Sequence, residues 1–66
     1  MITQGYRLET EVDFHNAILF RLLVSVTHEG EHLGSGLIHS QSYHVVKMIN
    51  EYYFKYACEF TVCSMN

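Results

Sequence analysis

The sequence predicts a mainly β protein, a small, strongly curled antiparallel sheet or SH3-like barrel of about five strands. Two observations carry that expectation. Apolar and polar residues alternate over much of the chain, the period of a half-buried strand. The alternating runs are also rich in Val, Ile, Tyr and Phe, which fit a pleated surface better than a helix. The alternative is α+β: a three-stranded meander with a C-terminal helix laid across it.

The first run places Tyr6, Leu8, Thr10, Val12 and Phe14 on one face and Arg7, Glu9, Glu11 and Asp13 on the other, which predicts a strand. His15-Asn16 offers a tight polar connection. Ile18, Phe20, Leu22, Val24 and Val26 form a second alternating set. A short helix from Phe14 to Leu23 is arguable, since Phe14, Ile18 and Leu22 are spaced by four, but the finish through Val24, Val26 and Thr27 favours a strand. Residues 28–36 hold Gly30, Gly34 and Gly36 among charged and polar neighbours and read as a loop. Leu37 and Ile38 begin a short strand that Ser40, Gln41 and Ser42 interrupt.

The C-terminal third supports two periods. With period two, Val46, Met48, Tyr52, Phe54, Tyr56, Cys58, Phe60 and Val62 share a face, opposite Lys47, Glu51, Lys55 and Glu59. At 3.6 residues per turn, Val45, Ile49, Tyr52, Tyr53, Tyr56 and Phe60 make a stripe, with Ser42 as a candidate cap. Composition favours strands: Asn50-Glu51 turning between Tyr43–Ile49 and Tyr52–Lys55, then a last strand over Phe60–Cys63.

The 66 residues are read as a single small domain, 1–66. A chain this short buries only about 60% of the surface its unfolded form exposes, so oligomerisation is expected. The apolar share of 48% and aromatic share of 14% argue against disorder. A net charge of −3, with Arg7, Arg21, Lys47 and Lys55 scattered, favours neither nucleic acid nor an anionic membrane. No apolar run approaches the roughly 20 residues of a membrane span, and no secretory leader is read at the start of the chain. The expected location is cytoplasmic.

One string has a named chemistry. His28-Glu29-Gly30-Glu31-His32 spells H-E-x-x-H, which on a helix would set two zinc ligands and a general base on one face. The context is wrong for that. A strand-like run precedes it, Gly30 sits at its centre, and Leu33-Gly34-Ser35-Gly36 follows. A polar turn is the expected structure, with metal binding by His28 and His32 as a remote alternative. Cys58 and Cys63 have no second ligand pair to complete a zinc knuckle and read as small hydrophobes. No serine sits in a G-x-S-x-G elbow. No catalytic residue, cofactor or metal site is predicted.

The density of aromatics is the remaining signal. Tyrosine and phenylalanine offer apolar contact area at little rotamer cost. In the strand reading Tyr53 stands on the outer face beside Lys47 and Lys55, making Lys47, Tyr53 and Lys55 the expected interaction surface. The function expected is therefore that of a small non-enzymatic interaction or regulatory protein that self-associates through aromatic side chains. A nucleic-acid-binding β barrel using the same three residues is the alternative.

Overall fold

Thr10 opens a helix where alternation predicts a strand. In the computed structural model, which describes residues 5–64, the first strand is only β1 (Arg7–Leu8), and α1 follows over Glu11–Leu19. Thr10 holds an extended backbone, its hydroxyl accepts the Asp13 N–H at 3.1 Å, and the Asp13 carboxylate accepts the Thr10 N–H at 3.1 Å. This reciprocal capping box satisfies two amides at the helix start. Phe14 and Ala17, three apart, turn into the core. His15-Asn16 accordingly lies within the helix and is no connection between strands.

The helix ends in a Schellman motif, with Leu22 N–H reaching Ala17 C=O at 3.0 Å and Arg21 N–H reaching Ile18 C=O at 3.2 Å. That motif needs a left-handed residue, and Arg21 supplies it at φ 53°. The second strand, β2 (Leu23–His28), therefore starts five residues later than alternation from Ile18 suggests.

The stretch read as a loop is mostly strand. β2 turns through Glu29 and Gly30, at φ 50° and 85°, directly into β3 (Glu31–Gln41). Two residues of positive φ are what a tight antiparallel hairpin requires. Gly34 and Gly36 do not break β3. They face Val26 and Val24 across the ladder, and Ile49 packs over them: an added Cβ on Gly34 would lie 2.8 Å from Ile49 Cδ1.

The C-terminal third is β throughout its described length: β4 (Val45–Met48), β5 (Glu51–Phe54) and β6 (Glu59–Ser64). The helical alternative for this third is overturned, and the turn is Ile49-Asn50, at φ 55° and 59°, one residue before the expected Asn50-Glu51. All pairings are antiparallel, in the order β1-β6-β2-β3-β4-β5. The mainly β expectation holds, with six strands in one sheet among the described residues. β3 joins its halves, pairing with β2 up to Leu37 and with β4 from Ile38 onward.

One apolar cluster runs through the fold, including Leu8, Phe14, Leu22, Val24, Val26, Ile38, Val46, Met48, Phe60 and Val62. Phe14 of the helix meets Phe60 of β6 edge to face, with centroids 5.2 Å apart. Among the described residues no polar side chain is buried, and no helix is long and apolar enough to cross a membrane.

Candidate functional site

A two-residue turn decides which side chains of the β4–β5 hairpin face out. Val46 lies opposite Tyr53 and Lys47 opposite Tyr52. Directly opposed residues share a face, so even positions of β4 match odd positions of β5. Counting by twos straight through the turn reverses the second strand. Tyr53 is half-buried and packs against the core beside Val46, whereas Tyr52 and Phe54 stand on the outer face.

The expected trio of Lys47, Tyr53 and Lys55 is thereby separated. Lys47 is outward, its Nζ 5.5 Å from the centroid of the Tyr52 ring. Lys55 is turned inward. Its Nζ sits 4.6 Å over the Phe14 ring and donates to Gln41 Oε1 at 2.6 Å, while Gln41 Nε2 donates to the Glu11 carbonyl at 3.1 Å. Burial lowers the pKa of this ammonium, an effect the nearby Glu11 carboxylate opposes. Lys55 thus ties the helix to the sheet.

Lys47 belongs to a different group. Between Ile38↔Met48 and Ser40↔Lys47, β3 advances two residues while β4 advances one, so His39 is the extra residue of a bulge. The exposed His39 borders two shallow depressions. One, of about 240 Å³, is lined by Ile18, Arg21, Leu37, Ile38 and His39; the other, of about 250 Å³, by His39, Lys47, Ile49 and Asn50. Among the described residues no carboxylate lines either of them. Arg21 and Lys47 make no ion pair among the described residues, unlike Arg7, which lies 3.5 Å from Glu59.

At the opposite end of the helix a depression of about 420 Å³ is lined by Glu9, Glu11, Tyr43, His44, Lys55 and Tyr56. The acidic side chains of α1, Glu11 and Asp13, fall in its first turn, and Arg21 follows its C-terminal end. Alternation could not reveal this, because it sorts residues by face and not by position along the helix.

The H-E-x-x-H string forms the tip of the β2–β3 hairpin. His28 pairs with Glu31, and His32 pairs with Thr27, so the register puts the two histidines on opposite faces. His28 donates Nδ1–H to the Ala57 carbonyl at 2.7 Å, and its Nε2 lies 3.1 Å from Glu29 Oε2. His32 Nε2 shares a hydrogen bond with Ser35 Oγ at 3.0 Å. Among the described residues no three His, Cys, Asp or Glu side chains gather as a metal site. Cys58 packs against the core, where burial pushes its thiol pKa up and away from the reactive thiolate.

Asp13 has the richest set of polar contacts. Burial tends to raise its pKa, but the Glu9 and Thr10 amides and the Tyr6 and Thr10 hydroxyls together hold it below the ordinary carboxylate value. These contacts close the helix start on itself and mark a structural carboxylate. In comparison with known proteins, the chain matches no family model, no curated protein and no solved structure.

Proposed function

We propose that the chain is a small, non-enzymatic cytoplasmic interaction protein of regulatory type that associates with copies of itself along β5. The observation that carries this reading is the outer face of that edge strand. Tyr52, Phe54 and the following Tyr56 are 68%, 51% and 81% exposed, and the Phe54 and Tyr56 rings lie 5.5 Å apart. Contiguous exposed apolar surface of this kind is characteristic of interaction sites.

The backbone supports the same occupant. Lys55 N–H bonds the His44 carbonyl at 2.8 Å, so the ladder turns Tyr53 toward β4 and directs Tyr52 and Phe54 groups outward. The Phe54 carbonyl already accepts the Ala57 and Cys58 N–H groups, both at 3.1 Å. The Tyr52 N–H and C=O remain to face a neighbour. Two copies paired antiparallel about Tyr52 would exchange these bonds reciprocally, a self-complementary two-fold contact. The packing of Ile49 over Gly34 and Gly36 supports the curled, SH3-like form of the sheet.

Light scattering on the purified chain at high micromolar concentration tests the proposal. A dimer or larger species is expected, and Phe54→Lys and Tyr52→Pro should each shift it to monomer. The proline removes an outward N–H and no bond to β4. A wild-type monomer, or association that neither variant weakens, would overturn the reading.

A further inference from the structure

We infer that the trough running from Arg21 through His39 and Lys47 to Tyr52 binds the backbone of single-stranded nucleic acid, with a base stacked on Tyr52. The chain carries seven acidic and four basic residues, yet two of those four line neighbouring depressions that share His39 and that no carboxylate lines among the described residues. Both lack an ion-pair partner among the described residues. An unpaired cation in an acidic protein is available to an external anion.

The geometry extends the cationic track onto an aromatic ring. Ser40, Lys47 and Tyr52 oppose one another across β3, β4 and β5, forming a row on one face. With strands about 4.8 Å apart, the row spans about 10 Å. Tyr52 at its end is 68% exposed, with the Lys47 ammonium 5.5 Å from its centroid. A cationic groove ending on an exposed aromatic ring is the chemistry by which single strands are held without base readout.

Left-handed backbone borders the same place. Among the described residues four non-glycines have positive φ: Arg21, Glu29, Ile49 and Asn50. Three of them, Arg21, Ile49 and Asn50, line the two depressions. At Arg21 the Schellman position would accept glycine without strain, but glycine would supply no cation. Ile49 and Asn50 meet the requirement of the β4–β5 turn as Glu29 and Gly30 meet that of the β2–β3 turn, whereas Arg21 stands at a helix end where glycine is the ordinary choice. The trough does not use the outward N–H and C=O groups of β5, but it shares the Tyr52 ring with the apolar face proposed for self-association.

Fluorescence anisotropy with labelled oligothymidylate and oligouridylate of about 15 residues tests the inference. Binding is expected at low salt, weakening between about 50 and 200 mM as counterions return to the strand. Arg21→Gly and Lys47→Gln should each weaken it and lower the log–log salt slope by about 0.7, the increment for one phosphate contact on a single strand. Tyr52→Ala should weaken it about tenfold with the slope unchanged. Arg7→Gln, at the ion pair across β1 and β6, should bind as the wild type does. Absence of binding at low salt would overturn the inference. So would binding indifferent to Arg21 and Lys47, or preference for vesicles of anionic lipid over the oligonucleotides. Arg21→Gly should retain or exceed wild-type thermal stability, so its lost binding could not be ascribed to unfolding. Light scattering on the same variants reads self-association separately.

Discussion

The two ends of α1 solve the same problem in opposite ways. At the N-terminus every local choice agrees with the structure: Thr10 caps, Asp13 caps in return, and acidic Glu11 and Asp13 occupy the first turn, where the helix dipole favours them. At the C-terminus Arg21 takes a left-handed backbone that glycine would adopt more easily. The agreeing end is closed on itself by internal hydrogen bonds. The conflicting end borders the cationic trough. Local disagreement between residue and backbone is therefore informative here, because it falls beside unpaired charge.

The largest test breaks the agreeing end. Asp13→Ala should destabilise the fold by about 2 kcal/mol, since it removes a cap and leaves the Glu9 and Thr10 amides without their carboxylate. Urea unfolding measures this. The aspartate also predicts a pH dependence. Its pKa is lower folded than unfolded, so its contribution is complete above the ordinary carboxylate value of 3.8 and is lost as pH falls through the lower folded value. Asp13→Ala should flatten that acid limb. An unchanged limb would show that the carboxylate's bonds do not persist in solution.

This contrast also explains what could be read from the sequence. Alternation identified the strands wherever one face is core and the other solvent, as in Val24 and Val26 of β2 or Phe60 and Val62 of β6. It failed over residues 9–19 because the alternating run from Tyr6 to Phe14 contains the capping box and reads as strand unless the box is weighed first. Thr10 and Asp13 carried that signal. At Ile49-Asn50 the failure was one of parity. A two-residue loop reverses the count, so Tyr53 went inside and Tyr52 outside, and the expected surface lost Tyr53 and Lys55 while keeping Lys47. Nothing in the order of residues placed Arg21 beside His39. That proximity depends on the helix lying against β3, a tertiary fact.

The second test sharpens the comparison from the conflicting end. Arg21→Gly should stabilise the chain by about 0.5–1 kcal/mol net, because the left-handed backbone costs an L side chain about 1–2 kcal/mol more than glycine. Part of the gain is offset by the greater freedom of glycine in the unfolded chain. A rise in urea midpoint with an unchanged slope is the expected result. A loss of stability would mean that Arg21 contributes packing or charge interactions worth more than its strain, and the two ends would then differ less than their backbones suggest.

The smallest effect separates strain that packing offsets from strain that it does not. Ile49 is left-handed like Arg21, and a β-branched residue there is the more strained of the two. It differs in lying against Gly34 and Gly36. Ile49→Asn should relieve backbone strain and forfeit that contact, leaving stability within about 0.5 kcal/mol of wild type. The two parts can be resolved by a double-mutant cycle with Gly34→Ala. In the wild type the new Cβ would lie 2.8 Å from Ile49 Cδ1, and the isoleucine must move. With asparagine at 49 that obstruction is gone, so the alanine gains from its smaller unfolded-state entropy. A coupling of about 1 kcal/mol between the two sites is expected from urea midpoints. Strict additivity would place Ile49 away from the glycines, and its strain would then stand as uncompensated as that of Arg21.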